Sequence, residues 1–144
     1  MIQVKIHALP GAKIPEYQSQ GASGADICAL LDEEITISPG GTALVPTGIS
    51  IELPDGYEAQ VRPRSGLAIK HGITLLNTPG TIDSDYRGEI KIIVTNHGKD
   101  DFTIANGMRI AQMVFCKIYR GNFMISDELT KTAREDGGFG HSGV

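Results

Sequence analysis

Turn-forming residues interrupt this chain at short and fairly regular intervals. Clusters rich in glycine, proline and asparagine recur about every 8–12 residues, the spacing typical of the short strands of sandwiches and barrels. The chain has 18 glycines and 7 prolines among its 144 residues, and this density of turns excludes a helical bundle. The clusters are Pro10-Gly11, Ser38-Pro39-Gly40-Gly41, Pro46-Thr47-Gly48, Pro54-Asp55-Gly56, Pro79-Gly80, Asn96-His97-Gly98, Asn106-Gly107 and Gly121-Asn122.

Between these clusters lie short segments rich in β-branched residues, which favour strands. The predicted strands are residues 4–6, 35–37, 49–53, 73–76, 90–95 and 110–118. Only residues 65–71 have a pattern that allows one or two helical turns. The sequence therefore predicts an all-β fold, an antiparallel sandwich or barrel with at most one short helix.

Composition and charge narrow the class of protein. Hydrophobic residues make up 40% of the chain and none is tryptophan, so the core should be thin and would gain from a shared subunit interface. A net charge of −4 argues against nucleic acid or an anionic membrane as partner. No apolar run suits a signal peptide or approaches the roughly 18 residues of a membrane span, so we expect a cytoplasmic protein. Cys28 and Cys116 are expected as small buried side chains, not as a disulfide.

The composition changes after residue 125. Residues 126–136 are polar, and residues 137–143 are mostly glycine, with too little apolar surface to fold alone. We therefore expect a folded domain over residues 1–125 and a mobile C-terminal arm over residues 126–144.

Two stretches of the expected domain carry more charge than a sandwich requires. In residues 62–68, two arginines and a serine flank a glycine, which favours phosphate binding, although solvated arginines beside a serine N-cap would show the same pattern. Residues 77–89 predict a wide hairpin loop. Its Asp83 and Asp85 could serve as a general base or hold a metal through water, or could simply form Asx-turns.

The expected arm has a third such pattern. Arg134 and the following glycines have the composition of a phosphate-binding nest, and Phe139 could stack on a ring, although flexible glycine tails are common. From the residues alone, the chain is an anion-binding all-β protein with an acidic hairpin. The residues alone do not identify its substrate.

The order of these segments along the chain resembles that of a known protein family. Residues 23–29, 63–68, 80–89, 109–114 and, in the arm, Arg134 with residues 137–143 resemble the five ordered motifs of the trimeric deoxyuridine triphosphatases. The resemblance implies a distorted jelly-roll fold and a homotrimer whose subunits share active sites. It also implies that the arm closes over a neighbouring subunit's site. His141 and Ser142 stand where the family usually has serine and threonine.

The resemblance implies a reaction as well. The protein would hydrolyse dUTP to dUMP and pyrophosphate, which limits uracil incorporation into DNA and supplies dUMP for thymidylate synthesis. Asp83 would activate the water that attacks the α-phosphorus. Mg²⁺ would bridge the triphosphate, and Asp26 would hold the ion through its waters.

Further residues acquire roles by position in the resembling motifs. Main-chain groups near four residues would read the uracil edge, Tyr86 would pack beneath the deoxyribose, and Phe139 would stack over the base. The four uracil-reading residues are Asn77, Thr81, Ile82 and Lys91. The phosphate-binding residues are Arg64, Ser65, Gly66, Gln112, Arg134, Gly140 and Ser142.

Two other functions remain as alternatives. The dCTP deaminases resemble this fold, but Ile93 and Ile69 stand where those enzymes have a catalytic glutamate and an extra arginine, and an apolar side chain cannot transfer protons. A non-catalytic nucleotide-binding trimer is the second alternative, although a mere binder has no need of a water-activating carboxylate such as Asp83.

Overall fold

The predicted all-β fold is confirmed by a computed structural model, which describes residues 1–138. Helix α1 (Ser65–His71) lies where the sequence predicts a short helix. The strands in chain order are β1 (Lys5–Ala8), β2 (Ala25–Cys28), β3 (Ile35–Ile37), β4 (Thr42–Pro46), β5 (Ile49–Glu52), β6 (Tyr57–Arg62), β7 (Ile73–Leu75), β8 (Gly80–Ile82), β9 (Lys91–Asn96), β10 (Phe102–Ile104) and β11 (Arg109–Lys117).

Every strand pairing is antiparallel, and the strands form small sheets of the jelly-roll type. The largest sheet has the order β2-β11-β6-β8, and a second has the order β4-β9-β7. The remaining strands form the pairs β1-β5 and β10-β3. In the β1-β5 pair, Lys5 Nζ donates to Glu52 Oε1 at 2.8 Å, which holds the pKa of this carboxyl below its ordinary value.

Strands β2, β4, β6, β8 and β10 lie outside the predicted segments, because each is short or interrupted by polar residues. The interpretation of residues 77–89 as one continuous loop is wrong in part. Gly80–Ile82 forms β8, which pairs with β6 through Val61–Gly80, Gln60–Thr81 and Ala59–Ile82. This strand exists because a partner strand lies beside it, and the local sequence carries no periodic signal for it.

The core is almost entirely aliphatic, as the composition predicts. Its fully buried side chains include Ile27, Val45, Ile49, Ile92 and Val94. The two cysteines are free thiols, but each is half-buried, so the expectation of fully buried side chains is wrong. Large aliphatic side chains also lie outside the core, among them Ile69 on α1, which is 84% exposed.

Helix α1 ends in a close backbone contact. Gly72 adopts the left-handed conformation (φ 68°), and its N–H donates to the Ala68 carbonyl. A Cβ at this position would lie 2.6 Å from the Gly98 nitrogen, so only glycine fits. None of the helix's own residues is buried. Within residues 1–138, no helix is long and apolar enough to cross a membrane.

Asn96, at the end of β9, joins separate parts of the fold. Its side chain is completely buried. Nδ2 donates to the carbonyls of Ile37 and Asp100 at 2.8 and 2.9 Å, and Oδ1 accepts from the Gly98 N–H at 2.8 Å. This one amide therefore connects β9 to β3 and to the turn that leads into β10.

We expect Asn96→Ala to lower the free energy of unfolding by about 2–4 kcal/mol, because it leaves buried backbone groups without partners. Urea unfolding followed by circular dichroism at matched protein concentrations measures the change. Asn122→Ala, at an exposed position, is the control and should change the free energy of unfolding little. An Asn96→Ala protein as stable as wild type would contradict this assignment.

Candidate functional site

A cleft opens where the β7-β9 hairpin separates. The ladder between these strands ends at Leu76, whose N–H donates to the Ile93 carbonyl at 3.0 Å. Beyond Leu76 the chain leaves β9, and β8 joins the other sheet instead. Within residues 1–138, β8 is the edge strand of that sheet, so its backbone groups on the side away from β6 have no strand partner among these residues.

A cavity of about 470 Å³ lies at this cleft. A smaller one, of about 40 Å³, adjoins it between β8 and β9 and includes Asn77. The two cavities share Thr81, Ile82, Lys91 and Ile93. The structure therefore brings together the four residues expected to read uracil and the two residues expected to act on water and sugar. The larger cavity is lined by Leu44, Thr81, Ile82, Asp83, Tyr86, Glu89, Ile90, Lys91 and Ile93.

Glu89 anchors the return of the hairpin to the body of the protein. Its Oε1 accepts from the Gly48 N–H at 2.9 Å, and its Oε2 lies 3.7 Å from Lys91 Nζ. The carbonyl of Glu89 accepts from the Tyr86 hydroxyl at 3.0 Å. Next to it, the Ile90 N–H donates to the Ile49 carbonyl at 2.8 Å. These bonds fix the Tyr86 and Lys91 ends of the cavity.

The predicted phosphate-binding residues lie elsewhere, around the carboxylate of Asp26. Arg64 Nε donates to Asp26 Oδ1 at 3.1 Å, and Arg109 Nη1 donates to Asp26 Oδ2 at 3.0 Å. Arg64 also donates to the Arg109 carbonyl at 3.2 Å. The Asp26 side chain is only 11% exposed, so this carboxylate orients both guanidiniums in a partly dry environment.

Gln112 belongs to the same group of residues. It lies opposite Asp26 on β2 and Arg62 on β6, and its Nε2 donates to the Pro63 carbonyl at 3.0 Å. A Cβ at position 24 would clash with the Gln112 amide, so Gly24 makes the space for this side chain. Ser65 and Gly66 follow at the exposed start of α1.

These two groups of residues do not meet within one chain. Asp83 follows Ile82, which lies opposite Ala59, whereas Arg64 lies two residues beyond the end of β6 at Arg62. The strand from Ala59 to Arg62 alone spans about 10 Å. In the sheet order, Asp26 on β2 is three strand spacings from β8, or about 14 Å. A base and the cations that hold its phosphate target must act on one substrate.

The expected arm is described only as far as residue 138. Its residues 126–136 are exposed and form neither helix nor strand. Arg134 Nε donates to the Gly137 carbonyl at 2.7 Å, within the arm itself. Phe139, Gly140 and Ser142 lie outside the described residues.

No ready-made metal cage exists within residues 1–138, where no three His, Cys, Asp or Glu side chains gather. Mg²⁺ usually keeps several waters and binds through one or two carboxylates together with substrate phosphates. Each Asp26 oxygen accepts one guanidinium bond, which leaves a lone pair on each for a water. This donor set fits an ion that arrives with a triphosphate.

Comparison with known proteins identifies the family of this chain. The sequence profile of the dUTPase family matches residues 11–143. The chain belongs to the dUTPase family. It is 57% identical to the deoxyuridine 5'-triphosphate nucleotidohydrolase of Caldanaerobacter subterraneus subsp. tengcongensis, covering 99% of both chains. It is also 57% identical to the protein of that name from Chlamydia pneumoniae, covering 93% of each.

Solved structures share the fold. A mutant dUTPase of Staphylococcus bacteriophage 80alpha, determined with dUpNHpp, superposes with a TM-score of 0.89 at 23% identity and covers 99% of both chains. A mutant dUTPase from phage phi11 of S. aureus, reported with a structural Mg(II) ion, superposes with a TM-score of 0.79 at 20% identity. It covers 88% of this chain and 97% of its own.

Several residues of this site were not assigned a role from the sequence. Arg109 was identified only as part of a motif, and its bond to Asp26 depends on the pairing of β11 with β2. Glu89 gave no sequence signal for its bond to Gly48, since the two residues are 41 positions apart. Gly24 and Gly88 also lie inside motifs, but only the structure identifies the side chains that need the space.

We expect Asp26 to be coupled more strongly to Arg64 than to Arg109, because the Arg64 side chain is 27% exposed and that of Arg109 46%. Double-mutant cycles with alanine, read as free energies of unfolding, should give about 1–2 kcal/mol for Asp26–Arg64 and less than about 1 kcal/mol for Asp26–Arg109. A larger coupling to Arg109 would refute this order.

Proposed function

We propose that this protein hydrolyses dUTP to dUMP and pyrophosphate. The observation that carries the proposal is the hairpin cavity, which gathers the expected base-reading, sugar-packing and water-activating groups in a dUTPase-family chain. The curated relatives that bear the name deoxyuridine 5'-triphosphate nucleotidohydrolase support the same reaction. Such a reaction removes dUTP before it enters DNA and supplies dUMP for thymidylate synthesis.

The free edge of β8 suits recognition of uracil. Uracil presents an acceptor, a donor and a second acceptor along one edge, which main-chain groups near Thr81, Ile82 and Lys91 would complement, with Asn77 beside them. Cytosine reverses part of this pattern, so its binding would leave buried groups unpaired. Tyr86 would pack beneath the deoxyribose, and Phe139 would stack over the base.

Asp83 is the proposed catalytic residue. Its carboxylate lines the cavity on the residue after β8, next to the proposed base-binding edge. From there it would orient and deprotonate a water that attacks the α-phosphorus, with pyrophosphate leaving in line. Asp83 is exposed in the single chain, so bulk water solvates it until other groups cover the cavity.

The proposed phosphate-binding donors lie outside the cavity. Arg64, held by Asp26, would supply a forked guanidinium, and Gln112 its amide. The Ser65 hydroxyl and the Gly66 N–H would add further donors. The remaining proposed phosphate-binding residues belong to the arm and are Arg134, Gly140 and Ser142.

Mg²⁺ is the proposed cofactor. Bound to the triphosphate, it would neutralise negative charge on the phosphate oxygens. Asp26 would hold the ion through its water ligands, using the carboxylate lone pairs that Arg64 and Arg109 leave free.

We propose a homotrimer in which Asp83 of one copy faces Arg64 of another. Within one chain these residues lie toward opposite ends of β6, which supports this arrangement. Exposed aliphatic side chains support it as well, because Leu44 at the cavity and Leu76 at the hairpin are 57% and 63% exposed. A neighbouring copy would cover both.

Asp83→Asn should lower kcat for pyrophosphate release from dUTP with Mg²⁺ by about 10²–10⁴-fold, with KM changed only a few-fold, because the amide cannot accept the proton from water. Asp85→Asn is the matched control, an exposed carboxyl of the same loop that does not line the cavity, and should retain activity. The same pyrophosphate-release assay is run with dCTP, dTTP and UTP in place of dUTP. No release from dUTP by wild type would disprove the function, and ammonia from dCTP would favour a deaminase.

Co-expression of Asp83→Asn and Arg64→Ala chains should restore activity that neither variant has alone. In a trimer with sites shared between copies, a site that takes Asp83 from one chain and Arg64 from the other is intact. If equal amounts of the two chains assemble at random, about a quarter of all sites should be intact in this way. If each chain carried its own complete site, the mixture would be no more active than its components.

A further inference from the structure

We propose that Gly88 determines sugar specificity by leaving room for the Tyr86 ring. This inference rests on the proposed function, in which Tyr86 packs beneath the deoxyribose. It adds a positioning residue that has no side chain and contacts no substrate itself. Its contribution is the space next to its Cα, which a Cβ would otherwise fill.

The Tyr86 side chain folds back over the two residues that follow it in the chain. The Tyr86 N–H donates to the Asp83 carbonyl at 3.2 Å, which makes a tight turn, and its hydroxyl donates to the Glu89 carbonyl at 3.0 Å. The ring therefore spans Arg87 and Gly88, one edge against the backbone, while the residue as a whole lines the cavity.

A side chain at position 88 would collide with this ring. An ideal Cβ built on Gly88 would lie 2.6 Å from Tyr86 Cζ and 2.9 Å from Cε2, well inside the usual contact distance. Gly88 is not among the glycines with positive φ, so an L-residue meets no backbone strain there. The three atoms nearest to this Cβ all belong to the Tyr86 side chain, so the ring is the group in conflict.

The backbone cannot move away to relieve the conflict. Glu89 Oε1 accepts from the Gly48 N–H, the Ile90 N–H donates to the Ile49 carbonyl, and the Thr47 hydroxyl donates to the Ile90 carbonyl. These bonds hold the residues immediately after Gly88 against the turn between β4 and β5. Tyr86 is 43% exposed and its ring has room to rotate, so the ring is what moves.

Displacing the ring has a predictable effect on substrate choice. A ring fixed beneath the sugar excludes a 2′-hydroxyl by steric overlap, whereas a displaced ring leaves that volume open. Stability should change little, because the ring loses one exposed hydrogen bond and little burial. Specificity and stability are therefore separable at this position.

The test compares kcat/KM for dUTP and for UTP in Gly88→Ala and wild type. We expect the dUTP-to-UTP ratio to fall at least about tenfold, with the thermal unfolding midpoint within a few degrees of wild type. Gly21→Ala is the matched control, since a Cβ there meets no atom within 4 Å and its φ is not positive. It should leave the ratio unchanged.

A double-mutant cycle assigns the effect to the ring. In a Tyr86→Ala background, Gly88→Ala should change the ratio less than about twofold, because no ring remains to be displaced. An unchanged ratio in Gly88→Ala, or an equal fall with and without the ring, would overturn the proposal while leaving dUTP hydrolysis intact. A wild-type protein that does not hydrolyse dUTP would instead overturn the proposed function and this inference with it.

Discussion

The pairing of β8 with β6, and not with β9, is the constraint on which the rest of the site depends. Had residues 80–82 continued the β7-β9 ladder, their backbone groups would be used in strand pairing and no cleft would exist. Because β8 crosses to the other sheet, it offers a free backbone edge beside Asp83. Glu89, bonded to Gly48 on the opposite side, keeps the hairpin from closing over that edge.

The same register separates the carboxylate from the cations. β6 has β8 on one side and β11 on the other, so Asp83 and the Asp26–Arg64 pair lie toward opposite ends and opposite sides of one sheet. Widening the cavity within a single chain would not bring them together. Under the proposed function, assembly is therefore part of the active site, and the aliphatic side chains exposed around the cavity have a physical reason to be there.

Sequence patterns predicted elements whose signal is local. β9 and β11 are long and apolar, and α1 ends where Gly72 supplies the left-handed residue, so each could be identified from neighbouring residues. β8 could not, since Gly-Thr-Ile forms a strand only beside β6. For the site, the order of the motifs identified Asp83 and Arg64 as candidates. The distance between these two residues depends on strand register, which no motif encodes. The roles of Arg109 and Glu89 likewise arise from contacts between distant segments.

One acid, the half-buried Asp26, lies among the proposed phosphate-binding residues, and geometry explains its presence there better than charge does. Arg64 and Arg109 with Asp26 leave one net positive charge in a protein whose net charge is −4. Removing the carboxylate would raise that local positive charge. The Arg64 and Arg109 side chains would then repel each other and lose their fixed orientation. Forked recognition of phosphate needs the planes of the guanidiniums held in place. Under the proposed function, Asp26 would therefore favour anion binding because it reduces the entropy that the arginines would lose on binding, an effect that a further lysine in its place could not supply.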